Sequence, residues 1–157
     1  MIAMAAPNTS LDSPLLPDRD EPYQLRDVFE KRVYGLRDEI VLDFGDCFLQ
    51  FKAEIDDDTI TGQFHGRPFN SRRRYRSIGS AAPWRRYLKK ECGWIWFALS
   101  QQGYWDTILI SFDAVVPNIL LYVMASSIHV FTIGPMERIV AEKVAKPKNN
   151  KKTAQRS

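Results

Sequence analysis

The chain has 157 residues, a net charge of +3 and a sequence pI of about 8.9, with 45% apolar and 26% charged residues. That length suits one domain with tails and is enough to bury a single core. Its two cysteines, Cys47 and Cys92, form no CxxC pair and sit at no metal-finger spacing.

The small net charge hides strong segregation. Residues 1–66 carry a net −8, residues 67–92 carry +8, residues 93–133 carry −2 and residues 134–157 carry +5. Such blocks point to an anionic partner, or to acidic and basic segments that meet across the fold. Residues 1–22 are rich in proline and acids without periodicity, and are expected to form a disordered tail. They lack a basic n-region and a continuous apolar stretch, so no secretory signal is read there and the expected compartment is a reducing cytoplasm.

From Tyr23 to Leu36, apolar positions at Leu25, Val28, Phe29, Val33 and Leu36 follow a spacing of three to four, which predicts a helix. Glu39–Asp43 and Cys47–Ile55 alternate as a hairpin, and Thr59–Phe64 continues as a third strand. Asp56-Asp57-Asp58 between them lacks the alternating acid spacing and distal Glu of a calcium loop, so it reads as a solvated turn.

Residues 66–79 hold Arg67, Arg72, Arg73, Arg74 and Arg76 with no core periodicity, and read as an exposed basic loop. Ala81–Glu91 reads as a short second helix with Pro83 in its first turn and Arg85 and Arg86 facing outward.

The stretch from Gly93 to Ile133 has no Lys or Arg and only two acids, Asp106 and Asp113. Its β-branched and aromatic residues predict an antiparallel meander of strands at 94–99, 104–113, 119–124 and 128–133. Residues 94–99 are apolar at both parities, so this strand is expected to be central and covered on both faces. Residues 114–136 are long enough for a membrane span, which needs ~20 apolar residues. Pro117, Asn118, Ser126, Ser127 and His129 inside that window favour strands instead. Pro135–Ala145 is expected to form a helix, and the last residues a flexible basic tail.

Two constellations could carry function. The first is the basic segment, where Arg67, Arg72, Arg73, Arg74, Arg76, Arg85 and Arg86 are interleaved with Phe69, Tyr75, Trp84 and Tyr87. Arginine with aromatics grips phosphates and stacks bases, but no zinc finger, GXXG or RNP signature accompanies it. The second is the hairpin around Trp94, Trp96, Gln101, Gln102, Tyr104 and Asp106, where a carboxylate falls on an otherwise apolar strand face. There Asp106 is either the polar anchor of a tryptophan-lined pocket or a structural acid holding the turn. His65 and His129 have no third ligand at metal spacing. No GxSxG, P-loop or GxGxxG is present, and nothing orients a Cys92–His129 dyad.

The run Gly93-Trp94-Ile95-Trp96, the turn Gln101-Gln102-Gly103-Tyr104-Trp105-Asp106, Leu109, Phe112 and the pair Ala125-Ser126 resemble an uncharacterised family of small bacterial domains. The resemblance spans roughly residues 37–133. It implies a compact domain of strands with one or two helices and a bacterial origin, and it brings no catalytic residues.

The combined expectation is an α+β domain over residues 23–133. It has an antiparallel sheet of about six or seven strands, an N-terminal helix and a second short helix packed on it. The expected role is a non-enzymatic binding module without a cofactor or metal, contacting a protein partner in an immunity-like or accessory role. The alternative is a nucleic-acid-binding accessory protein acting through residues 67–86.

Overall fold

The computed structural model describes residues 15–70, 72–99 and 103–134, and it is a sandwich of two antiparallel sheets. The stretch expected as the first helix is a hairpin: β1 (Asp27–Val33) pairs with β2 (Leu36–Asp43). The two residues between them, Tyr34 and Gly35, have φ of 51° and 82°, the left-handed pair that closes a two-residue hairpin with the right twist. Val28 and Phe29 explain the misreading. Both are buried, but on opposite faces of the strand, Val28 in the main core and Phe29 in a second cluster. Adjacent buried residues followed by another apolar pair imitate a helical stripe.

β3 (Phe48–Glu54) and β4 (Thr59–His65) extend the sheet, and β5 (Arg76–Ser77) caps its other edge, giving the order β4-β3-β2-β1-β5. The second sheet is the meander β6 (Cys92–Leu99), β7 (Trp105–Phe112), β8 (Ile119–Met124) and β9 (Ser127–Thr132). β4 packs over β7 and β8, while β2 and β3 pack over β9. Between the layers lie Ile40, Leu42, Leu49, Phe51, Ile108, Ile110, Ile119, Leu121 and Ile128, all essentially inaccessible. Burying each such side chain stabilises the fold by about 1.5–3 kcal/mol.

The second expected helix is also absent. Residues 81–91 contain only a 3-10 turn at Trp84–Arg86. The chain there serves the strand layer instead, since Leu25 N–H donates to Lys90 O at 2.9 Å, Lys89 N–H to Leu25 O at 2.7 Å and Cys92 N–H to Tyr23 O at 2.9 Å. Trp84, 1% exposed, and Tyr87 fill the core beneath this end. The α+β expectation is therefore corrected to a nearly all-β sandwich. A helix beginning at Pro83 would have required the same backbone groups that pair with residues 23–25.

β6 is an edge strand, not a central one, and among the described residues nothing covers Trp94 on its outer face. The two sheets are also clipped at one end. Ser126, in the β8–β9 turn, donates its N–H to Asp58 Oδ1 at 2.7 Å and its hydroxyl to Ile55 O at 3.2 Å. The Asp56–Asp58 tip is thus an inter-sheet contact as well as a turn.

Residues 15–22, part of the expected tail, lie against the domain: Leu15 and Leu16 pack on the core, and Tyr23 hydroxyl donates to Pro17 O at 2.6 Å. Residues 1–14 and the expected helix and tail beyond Gly134 lie outside the described residues. Among the described residues no helix is long and apolar enough to cross a membrane.

Candidate functional site

Strand alternation places two polar groups of the five-stranded sheet on opposite faces. Glu30 points inward with Val28, near the end of the sandwich, and its side chain is 1% exposed. Three arginines close on it. Arg32 donates through Nε at 3.0 Å and through Nη2 at 3.4 Å, Arg37 donates through Nε at 2.7 Å, and Arg76 donates through Nη2. Burial alone would raise the Glu30 carboxyl, but the hydrogen bonds from Arg32, Arg37 and Arg76 override it and hold the group at about 2. Arg37 also ties this cluster to the other sheet, with Nη1 donating to Ile128 O at 3.1 Å and its backbone N–H to Ser127 Oγ at 3.1 Å.

Above this carboxylate opens a cleft of about 320 Å³ lined by Glu30, Arg32, Arg73, Arg74, Tyr75 and Arg76. Arg73 and Arg74 are exposed, on the 3-10 turn Arg72–Arg74 that leads into β5.

Glu39 lies on the opposite, outer face, cross-strand from Lys31 and Lys52. It accepts from Lys31 Nζ at 2.5 Å, from Gln50 Nε2 at 2.5 Å and from the Tyr75 hydroxyl. Gln50 Oε1 in turn lies 3.1 Å from His65 Nε2, whose ring stacks on Phe48 with centroids 4.3 Å apart. Burial opposes ionisation of Glu39, but Lys31, Tyr75 and Gln50 together hold its carboxyl below the usual range. Burial and the Glu39 carboxylate push the Tyr75 phenol well up.

The arginine loop is therefore not a bare loop. Phe69, 5% exposed, inserts between Phe29, Phe48 and Tyr75, with ring centroids 4.9–5.1 Å away. The segment lies across the outer face of the sheet as a lid, pinned by Phe69 and by Tyr75 on Glu39. Beneath it, near Gly45, is a second hollow of about 470 Å³ bordered by Arg26, Asp27, Asp43, Pro68 and Asn70.

Of the predicted basic residues, Arg73, Arg74 and Arg76 converge on the cleft, whereas Arg67, Arg85 and Arg86 line neither hollow. Arg72 begins the 3-10 turn next to them. Glu30, Arg32, Glu39, Gln50 and His65 were not predicted. The charge alternation of Glu30, Lys31 and Arg32 against Arg37, Asp38 and Glu39 is the signal that would have found them, once read as facing strands.

The hairpin constellation separates. Trp94 and Trp96 stack with centroids 6.1 Å apart on the outer face of the four-stranded sheet. Asp106 is 7% exposed, at the bulge where Ala98 pairs with Thr107 and Leu99 with Trp105, and it accepts from Thr107 Oγ1 at 2.8 Å. Neither of the two hollows described above is lined by Asp106 or by a tryptophan. Tyr104 is 44% exposed, and Gln101 and Gln102 lie outside the described residues.

That outer face carries a cross-strand row, Trp96–Leu109–Leu120–Phe131, flanked by Trp94 and by the pair Tyr122–His129. Trp94 is 55% and Phe131 51% exposed, and Asp106 is the sole charged residue in the four strands.

Cys92 and His129 lie on opposite edge strands of this sheet, three strand spacings or ~14 Å across, and the register sets His129 level with Ala98 rather than Cys92, so they form no dyad. Both thiols are free and buried. Burial pushes Cys47 up to about 11 and Cys92 to about 12. Among the described residues no three His, Cys, Asp or Glu side chains gather as a metal site.

Comparison with known proteins gives one match. Residues 20–137 fit the model of a family of unknown function, DUF6334, and the chain belongs to that family. No curated protein and no solved structure matches the chain.

Proposed function

We propose that this DUF6334 domain is a non-enzymatic binding module that docks a protein partner on the bare outer face of its four-stranded sheet. One observation carries the reading: the row Trp96–Leu109–Leu120–Phe131, with Trp94 and Tyr122 beside it, holds no charged side chain, and in it Trp94 and Phe131 are exposed and the rest half-buried. Contiguous apolar patches of this kind mark interaction surfaces, and Trp and Tyr are the side chains that most often anchor them. The opposite sheet shows the contrast, because its outward aromatics Phe29 and Phe48 are covered by Phe69.

The partner presents an apolar patch within an acidic rim. Exposed Arg85, Arg86 and Lys89 lie on the segment that leads directly into β6, which keeps a basic excess over the neighbouring acids Glu91 and Asp113. The buried, protonated thiols support a role without covalent chemistry and suit a reducing cytoplasm.

The test compares the parent chain with a W94S/W96S/F131S variant whose fold is checked by circular dichroism. A partner held by the parent and by an R73A/R74A variant, but lost from the triple variant, is the expected result. Equal capture by the triple variant overturns the reading. So does light scattering that shows a parent dimer and a monomeric triple variant, because the face would then pair two copies of this chain.

A further inference from the structure

We infer that the cleft between Glu30 and the Arg73–Arg76 segment is a receptor for a single phosphate monoester dianion. This site is separate from the apolar face. A carboxylate offers about four acceptor positions. Glu30 fills them with two bonds from Arg32, one from Arg37 and one from Arg76.

The arginines are far from satisfied in return. Each guanidinium has five N–H donors. Arg32 uses one more on Gly35 O at 3.2 Å, while Arg73 and Arg74 make no hydrogen bond or ion pair with the described residues. Four guanidinium groups therefore border a hollow of about 320 Å³ that contains one saturated carboxylate. The excess of three positive charges calls for an external acceptor.

The backbone that carries these cations is anchored, and Arg76 and Arg32 are held directly on Glu30. Arg76 sits in β5, where its backbone pairs with Glu30 of β1. The backbone of Arg73 and Arg74 is set by the 3-10 turn and by the neighbouring Tyr75, which bonds Glu39 and packs edge-on against Phe69. Preorganised donors avoid part of the ordering cost that weakens most binding sites. Glu30 acts here as a positioning residue that keeps Arg32 and Arg76 together against their mutual repulsion.

A phosphate monoester matches the surplus. It carries a charge of about −1.5 to −2 at neutral pH and three acceptor oxygens, and guanidinium forks bind it in a bidentate manner. A carboxylate would leave most of the charge and most of the donors unanswered. Nucleic acid is disfavoured by the layout, because a strand needs a track of cations, and Arg67, Arg85 and Arg86 do not extend this one. The hollow lies at the small end of ligand-binding cavities, ~300–1,000 Å³, so it takes a phosphate with a modest organic group against the Tyr75 ring.

Titration calorimetry on the full chain at neutral pH and about physiological salt tests this. The probes are phenyl phosphate, benzoate, a phosphotyrosine peptide and a single-stranded oligonucleotide. Phenyl phosphate should saturate at one per chain and bind at least tenfold tighter than benzoate. The exposed-site variant R73A/R74A should weaken it at least tenfold, and R85A/R86A less than twofold. A peptide that binds tighter than phenyl phosphate assigns the phosphate to a protein side chain, and the reverse assigns it to a small molecule; both uphold the site. No preference for phenyl phosphate over benzoate, equal loss in R85A/R86A, or binding of the oligonucleotide alone with steep salt dependence overturns it.

Discussion

Replacing Glu30 by Gln removes the one negative charge on which Arg32, Arg37 and Arg76 converge, and the structure sets the size of the effect. The carboxyl ordinarily titrates near 4.5 and is held at about 2 in the fold. At 1.36 kcal/mol for each pKa unit, ionised Glu30 contributes about 3 kcal/mol of stability at neutral pH. Leaving a buried charge cluster without its counterion can cost ~3–5 kcal/mol. Here the side chains of Arg32 and Arg76 are 46% and 70% exposed, so water takes over part of the role and the lower figure applies. A loss of about 3 kcal/mol lowers the melting temperature by roughly 10 °C in a domain of this size. It leaves a typical fold, stable by ~5–15 kcal/mol, still populated.

The pH dependence gives the sharper check. A carboxyl whose pKa is depressed in the fold contributes fully above its unfolded value and loses the contribution as pH falls through the folded one. The stability gap between parent and Glu30→Gln should therefore be constant above about pH 5, shrink below pH 4.5 and nearly vanish at pH 2. Urea unfolding followed by tryptophan fluorescence at pH 7, 4 and 2.5 measures it. A gap under about 0.5 kcal/mol at pH 7, or one that stays the same at pH 2.5, refutes the placement of this carboxylate among three arginines.

Three other substitutions or treatments test the remaining geometry. Phe69→Ala should cost about 3–5 kcal/mol by emptying the cluster of Phe29, Phe48 and Tyr75, and should speed tryptic cleavage after Arg73 and Arg74; an unchanged digestion rate would mean the lid is not pinned there. Tyr75→Phe keeps the ring packing but removes a donor from buried Glu39, so stability should fall by about 1–2 kcal/mol and the Glu39 carboxyl should titrate at higher pH by carbon NMR. Cys47 and Cys92 should resist a thiol reagent at neutral pH until the protein is unfolded by urea, because both are buried and burial raises both thiols; rapid labelling of the native chain would contradict their positions.

Most strands were legible in alternation or composition. Residues 48–54 and 59–65 fall within a residue or two of where alternation put them, and 105–112, 119–124 and 127–132 of where β-branched and aromatic composition did. The first hairpin was not, because burial on both faces of β1 places Val28 and Phe29 side by side and erases the period of two. The cover over Phe29 comes from Phe69, forty residues further on, which no local pattern around β1 reveals. The same blindness affected the functional residues. Arg73, Arg74 and Arg76 stood out as a charge run, but their counterion Glu30 fell inside the stretch that reads as the first helix. Conversely, the doubly apolar Trp94–Leu99 run read as a central strand, because the sequence pattern of a strand covered on both faces is also that of a strand with one face left bare.

That last ambiguity bears on how the two surfaces relate. Both sheets present aromatic residues outward, Phe29 and Phe48 on one and Trp94, Trp96 and Phe131 on the other. The five-stranded sheet covers its outward aromatics with a segment of its own chain, and that segment carries the arginines. Among the described residues nothing covers the four-stranded sheet, where exposed Trp94 and Phe131 remain. The lid and the bare face thus belong to different layers and share no lining residue. Substitutions at sites without shared partners combine additively, so losses from R73A/R74A and from W94S/W96S/F131S should affect different ligands. A single ligand weakened by both sets, by more than their summed effects, would show instead that one partner spans the edge of the sandwich and reads both layers.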